Sequence, residues 1–252
     1  MARIVAKEWA LELGPRYPWA RYSFAAPAGD AVLKISPPED DEADHEPDAL
    51  EAWAGDGAVR LLRRDRGRRA MLIERAVPGH DATRLPDNEA LAVALAVGGR
   101  IWRQVAGGPF RTAHERVAGW LASVRATDHR YVPLAEGVFA RIEPRDRFLV
   151  HGDLHHYNLL RHGDRWVAID PKPLIAEPEF EVVTLLWNPV TFVPTRPAVD
   201  ARIRALTATG LDEQRIRDWA IVRGVYLGLP LRPDEDERTV RQLSVVRCLK
   251  ED

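Results

Sequence analysis

The chain has 252 residues, 46% of them hydrophobic, enough to bury one sizeable core or two smaller lobes that share a cleft. Its formal net charge of -2 lacks the basic footprint with which proteins neutralise nucleic-acid phosphates, so a nucleic-acid partner is not expected. Cys248 is the single cysteine, the charged start Met1-Ala2-Arg3-Ile4-Val5-Ala6-Lys7-Glu8 lacks a signal peptide's apolar core, and no apolar run reaches the roughly 18 residues of a membrane span; the expected location is the cytoplasm, away from membrane.

In chain order, residues 21–26 and 31–36 read as extended runs around the turn Pro27-Ala28-Gly29-Asp30 and predict a hairpin ending in Val32-Leu33-Lys34-Ile35. Pro37-Pro38 stops the second strand, and the acidic run from Glu39 to Glu46 leads into Ala49-Leu50-Glu51-Ala52-Trp53, which has helical spacing. Val59-Arg60-Leu61-Leu62 and Met71-Leu72-Ile73-Glu74 read as two more strands with a charged turn from Arg63 to Arg69 between them. Proline and glycine in Ala76-Val77-Pro78-Gly79 mark a hinge near residues 74–79, because the apolar period changes there from two to about 3.6.

Beyond the hinge the pattern is mostly helical. Asp87 is placed to cap a helix reaching Val105, with Leu91, Leu95 and Trp102 inward, and residues 112–126 repeat the pattern with Val117, Trp120, Leu121 and Val124. Arg165-Trp166-Val167-Ala168-Ile169 is a short strand after a His162-Gly163-Asp164 turn and carries Asp170 at its end. Further helices are expected from Pro178 to before Pro189, and over 198–209, 213–227 and 238–249. The fold class is therefore α+β, with a small sheet lobe over residues 1–76 and a larger helical lobe over 77–252.

The chemistry concentrates in Leu149-Val150-His151-Gly152-Asp153-Leu154-His155-His156-Tyr157-Asn158 and in Ile169-Asp170-Pro171. Attack of a hydroxyl on a γ-phosphate needs positioning and charge neutralisation more than covalent help. Asp153 suits the hydroxyl proton, while Asn158 and Asp170 supply oxygens for magnesium against nucleotide phosphates.

That run, with Trp166-Val167-Ala168-Ile169-Asp170-Pro171-Lys172-Pro173 and Glu177-Pro178-Glu179-Phe180-Glu181, resembles the streptomycin 6-kinase and hydroxyurea-resistance branch of the aminoglycoside phosphotransferases. The resemblance extends to Gly57-Ala58-Val59-Arg60-Leu61-Leu62 and Leu72-Ile73-Glu74-Arg75. It implies a bilobal protein-kinase-like fold and phosphoryl transfer from ATP, with GTP left open, to a hydroxyl of a small molecule, a cationic aminocyclitol among the candidates. By the same resemblance Asp153 is the catalytic base, His151 braces the catalytic loop, and Asn158 and Asp170 bind Mg2+. Lys34 anchors the nucleotide phosphates, Glu46 pairs with Lys34, and the backbone from Glu74 to Ala76 meets the purine.

The chain departs from the pattern in three places. No glycine occurs between Pro15 and Ala28, where kinases carry a phosphate loop; Glu181 stands where the family has an aspartate bonded to the catalytic-loop backbone; and Ala176 replaces a common glycine. Carboxylates for a cationic acceptor are sought in Asp234-Glu235-Asp236-Glu237 or in Glu177 and Glu179. Two other readings compete: a nucleotide-binding homologue without catalysis, and a metal-dependent hydrolase using His151, Asp153, His155 and His156.

Overall fold

The computed structural model describes residues 1–20, 22–105, 107–145 and 147–250. Arg21, at the head of the first expected strand, lies outside them. A short helix α1 (Ala2–Glu8) precedes the hairpin of β1 (Phe24–Ala28) and β2 (Ala31–Ile35). The register, Phe24↔Ile35 through Ala28↔Ala31, tightens the turn to Gly29-Asp30, with Gly29 at φ +62°. Pro27 and Ala28 thus join the strand, since a two-residue connection matches the twist of paired strands.

Helix α2 (Glu46–Trp53) is followed by β3 (Leu61–Asp65) and β4 (Ala70–Glu74), which complete an antiparallel sheet of order β1-β2-β4-β3. β3 starts later than expected and runs into Arg63, Arg64 and Asp65, because these residues pair with Leu72, Met71 and Ala70 and only residues 66–69 are left to turn. Period-two alternation sorts the two faces. Leu33 and Ala70 meet Val5, Ala6 and Trp9 around α1, whereas Met71, Ile73 and Val32 join the main core on the α2 side. Lys34 shares the second face with Val32. On α2, Glu46, Ala49, Leu50 and Trp53 are all buried, one helical stripe aimed at that face.

The chain then forms β5 (Pro78–Asp81), α3 (Asp87–Ile101), β6 (Arg103–Gln104), α4 (Ala113–Val124), α5 (Val132–Phe139) and β7 (Phe148–Val150). A hairpin follows from β8 (Leu159–His162) and β9 (Arg165–Ala168), and then come β10 (Leu174–Ala176), α6 (Pro178–Val182), α7 (Arg196–Thr207), α8 (Glu213–Gly228) and α9 (Arg241–Lys250). Among the described residues, β10-β7-β6 and β5-β8-β9 are small antiparallel sheets that carry the loops at residues 151–158 and 169–173.

Asp87 does not cap α3. Pro86 holds the cap position, and the Asp87 carboxylate, inside the first turn, faces the buried Arg202 of α7 at 3.1 Å from Nε. α3 also stops at Ile101, earlier than expected, because Trp102 adopts a non-helical cap and residues 103–104 pair with β7. α4 starts with a reciprocal cap: the Glu115 N–H donates to Thr112 Oγ1 at 3.2 Å and the Thr112 N–H to Glu115 Oε2 at 2.9 Å. α8 is buried around most of its circumference, so it forms the axis of the helical part. At Gly224 a Cβ would lie 2.6 Å from the Val246 side chain, so glycine lets α9 approach α8 closely.

A second strap joins the sheet region to the rest besides the 74–79 hinge. The Ala168 N–H donates to Gly57 O at 2.8 Å and the Val59 N–H to Ala168 O at 3.1 Å, docking the segment after α2 on β9. Trp53 reinforces it: fully buried, it donates from Nε1 to Ile101 O at 2.9 Å. Trp53→Ala is expected to lower unfolding stability by about 3–5 kcal/mol, measured by denaturant titration, through the cavity and the lost hydrogen bond. A loss below about 1 kcal/mol would show that this junction contributes little.

Candidate active site

β7 delivers the chain into the His151–Asn158 loop, whose shape depends on Gly152. That residue has φ +82°, and a Cβ there would lie 2.0 Å from the Lys172 carbonyl oxygen, so any side chain would force the two loops apart. From beneath, the buried Glu181 carboxylate of α6 accepts backbone N–H groups from His151 at 2.5 Å, Gly152 at 3.0 Å and Leu154 at 3.2 Å. The longer side chain therefore still reaches three donors of the loop. Burial raises the Glu181 pKa, opposed by Arg223 and the N–H groups. Arg223 of α8 donates to Gly152 O at 2.8 Å and Phe180 O at 2.7 Å, and Thr184 Oγ1 to Leu154 O at 2.5 Å.

His151 is completely buried and bonds to backbone alone. Nε2 faces Ile169 O at 2.8 Å and Nδ1 accepts the Asp153 N–H at 3.2 Å, which assigns the ring proton to Nε2. Burial lowers its pKa to about 4, keeping the ring neutral. It links the loop to the residue before Asp170. The Ile169 N–H in turn donates to Asn158 O at 3.0 Å, and Asn158 Nδ2 donates to Asp153 O at 2.9 Å. Asp153, Asn158 and Asp170 are thus brought together by short backbone-anchored bonds.

Asp170 sits just after β9 at φ +58°, a conformation that aspartate tolerates better than most side chains and that marks functional loops. It accepts a hydrogen bond from Lys34 Nζ, which also lies 2.7 and 2.6 Å from the two Glu46 oxygens. Glu46 is the first residue of α2, yet its side chain is buried on the inner stripe, so Pro47 in the first turn does not displace it. Burial would lower the Lys34 pKa, but Glu46 and Asp170 outweigh it and hold the ammonium charged. Burial likewise opposes ionisation of Asp170, and Lys34 overrides it.

The Asp153 carboxylate lies 3.6 Å from His155 Nε2 and 3.8 Å from Lys172 Nζ. Burial works against its ionisation, but His155 and then Lys172 hold it well below the usual carboxylate range. At the hinge, the Glu74 N–H donates to Arg60 O at 2.8 Å and the Arg75 N–H to Asp30 O at 2.9 Å, while the Glu74 side chain binds Arg60 at 3.0 Å. These two N–H groups are committed to the sheet. The turn before β1 contains Trp19, exposed and stacked on Tyr17 at 5.7 Å, in the place of a glycine-rich loop.

Asp153 opens onto a cavity of about 260 Å3. Its walls include Asp41 and Asp44 from the segment before α2, Arg111 and Arg116 around the start of α4, Lys172, and Trp120 stacked on Tyr226 at 4.2 Å. Arg116 grips Asp41 at 2.7 and 3.2 Å across the opening. The acidic walls sought in sequence lie elsewhere. Glu177 is buried against Arg215 and Trp219, Glu179 accepts the Asp212 N–H at 3.1 Å, Glu237 faces His129 at 2.9 Å, and Glu235 and Asp236 accept backbone N–H groups of Arg232 and Arg238. The carboxylates at the cavity, Asp41 and Asp44, come from the acidic run Glu39–Glu46, of which the sequence singles out Glu46 alone.

The histidine-rich run forms no metal cluster: among the described residues no three His, Cys, Asp or Glu side chains converge as ligands. His156 points into protein, both ring nitrogens buried without a hydrogen-bond partner, and His155 meets Tyr157 edge-on at 5.8 Å. The hydrolase reading has no ligand set. Nor is any helix among the described residues long and apolar enough to cross a membrane.

Residues 24–232 match the family described as aminoglycoside/hydroxyurea antibiotic resistance kinase. The chain is 37% identical to a hydroxyurea phosphotransferase of Kitasatospora aureofaciens over 212 residues, covering 78% of this chain and 60% of that protein. It therefore spans about three fifths of that relative's length. It is 32% identical to a streptomycin 3''-kinase of Klebsiella pneumoniae over 206 residues, covering 76% of each. In fold it is similar to the choline kinase LicA from Streptococcus pneumoniae, with a TM-score of 0.70 at 13% identity over 100% of this chain and 99% of that one.

The buried His151 gives the site an acid sensitivity of known sign. Its folded pKa of about 4 lies below the ordinary 6.5, so between those values the unfolded chain binds a proton that the folded one refuses. Stability present at neutral pH is lost as pH falls from 6.5 toward 4. His151→Gln should lower the Tm at pH 7.5 yet show a shallower fall between pH 7 and 5 than the wild type. Parallel Tm curves would contradict this.

Proposed function

Since the chain belongs to the aminoglycoside/hydroxyurea antibiotic resistance kinase family, we propose that it transfers the γ-phosphoryl group of ATP to a hydroxyl of a small molecule, aminoglycoside-like or otherwise. The observation that carries this reading is the meeting of Lys34, Glu46 and Asp170 beside the loop of Asp153 and Asn158. The relatives, a hydroxyurea phosphotransferase and a streptomycin 3''-kinase, support a small hydroxyl-bearing acceptor. Residues 1–76 would cover the nucleotide and residues 77–252 would hold the acceptor, with Ala76 offering its backbone to the purine.

The donor set fits a hard divalent cation. The Asn158 amide nitrogen is spent on Asp153 O, which leaves Oδ1 for a metal, and Asp170 contributes a carboxylate. Asn158 and Asp170 would hold Mg2+, which when bound neutralises charge between the nucleotide's phosphates. Lys34, kept charged and aimed by Glu46, meets the phosphates from the sheet side. Asp153, ionised and facing the cavity, accepts a hydrogen bond from the acceptor hydroxyl and takes its proton as the oxygen attacks phosphorus. Its strongly acidic character makes it a weak base, which suits a loose transition state that asks for orientation more than for early proton removal. His151 acts through backbone alone and keeps Asp153 in place. The cavity, lined by both signs of charge, is slightly smaller than the roughly 300–1,000 Å3 of drug-sized ligand sites and favours a compact acceptor.

A screen of aminoglycosides and small alcohols with γ-labelled ATP tests the activity. Asp153→Ala should lower kcat by at least about 100-fold while nucleotide affinity, measured by calorimetry, stays within about threefold; Asp170→Ala should weaken Mg-dependent nucleotide binding as well. Turnover of Asp153→Ala equal to that of wild type would end this mechanism. Nucleotide binding with no transfer to any acceptor or to water would favour a binding homologue.

A further inference from the structure

Lys172 stands where the proposed reaction needs a second positive charge. Its backbone is fastened to the catalytic loop on both sides: its N–H donates to His151 O at 2.7 Å, and its carbonyl packs against Gly152. The side chain, 41% exposed, therefore leaves from the floor of the cavity, and Nζ stops 3.8 Å from Asp153 Oδ2. Both Asp153 and Asp170 feel it as an attractive charge. Its ammonium thus lies beside Asp153 and within electrostatic reach of Asp170.

The other cations nearby are differently placed. Lys34 is buried between Glu46 and Asp170 on the sheet side. Arg223 spends its guanidinium on Gly152 O, Phe180 O and Tyr226 Oη. Arg116 is engaged with Asp41 and lies over Trp120, 5.0 Å from the ring centroid. An acceptor oxygen hydrogen-bonded to Asp153 would sit about 2.6–3.2 Å from its carboxylate, and the phosphorus about 3–3.5 Å beyond. An ammonium 3.8 Å from that carboxylate would stand on the acceptor side of a phosphoryl group placed there.

We propose that Lys172 is a catalytic residue, its ammonium contacting the phosphoryl group in flight from the acceptor side, opposite Lys34. The inference rests on the kinase reading above. In the step, the bond from γ-phosphorus to the bridging oxygen breaks and its electron pair leaves with ADP, while the acceptor oxygen bonds to phosphorus and its proton passes to Asp153. Lys172 stays protonated throughout and hydrogen-bonds the phosphoryl oxygens, where charge is spread in the transition state.

Two readouts test this. Lys172→Met should lower kcat about 100- to 1,000-fold, with KM for ATP within threefold; Lys172→Arg should recover at least tenfold of the loss. Independently of acceptor identity, thermal stabilisation by ADP and Mg2+ should be equal in wild type and Lys172→Met, while the added stabilisation by fluoroaluminate, a mimic of the transferring group, should appear in wild type only. A Met variant with kcat within threefold of wild type, or with an undiminished fluoroaluminate increment, would overturn the assignment. Wild type that ADP stabilises but fluoroaluminate does not would also overturn it and leave nucleotide binding standing. Absence of stabilisation by any nucleotide would instead overturn the kinase reading, and this assignment with it.

Discussion

A buried ammonium cannot be left alone, and the arrangement of the site follows from how Lys34 is satisfied. Removing its charge from water is costly, and only close, well-directed carboxylates compensate. They come from separate parts of the chain: Glu46 at the start of α2, and Asp170 after β9. Satisfying one lysine therefore ties the sheet, the helix behind it and the loops of the helical part into one cluster. The Gly57–Val59 strap on Ala168 runs alongside, ending two residues before Asp170, so the same hairpin is held from two directions.

Across the cleft the governing problem is a loop rich in backbone donors beneath the surface. Glu181 meets three of them with one carboxylate, Arg223 meets the Gly152 carbonyl, and Thr184 meets Leu154. A buried network of this kind fixes geometry because each unmet group would carry a desolvation cost. Asp153, in contrast, is left partly open, with His155 and Lys172 beside it. The support is buried and closed, and the Asp153 carboxylate faces the cavity.

Much of this was legible in the residues. The hairpin ending in Val32-Leu33-Lys34-Ile35 put Lys34 on a strand, and the short strand ending in Ile169 put Asp170 at its tip, because both signals are local. The pairing of Glu46 with Lys34 is what the family resemblance implies; its place four and seven residues before Leu50 and Trp53 agrees with the buried stripe it joins. What escaped depends on partners far along the chain. Asp87 looked like a cap, but Arg202 of α7 claims it. α5 went unread: Val132-Pro133-Leu134-Ala135 starts with a proline that suits a first helical turn, yet its helix is settled by packing beside α8. The carboxylates at the cavity were expected from Asp234–Glu237 or from Glu177 and Glu179, whereas folding brings Asp41 and Asp44 there from the segment before α2. Charge runs announce composition; which cation they meet is a tertiary fact.

The central claim is that Lys34, Asp170 and Asn158 form one phosphate-and-metal site in front of Asp153. The most direct measurement is a crystal structure with a non-hydrolysable ATP analogue and Mn2+, located by its anomalous signal. The account predicts a manganese peak bonded to Asn158 Oδ1 and an Asp170 carboxylate oxygen, with the phosphates against Lys34 and the terminal one directed at Asp153. A nucleotide seated elsewhere, or a metal peak away from both Asn158 and Asp170, would contradict it.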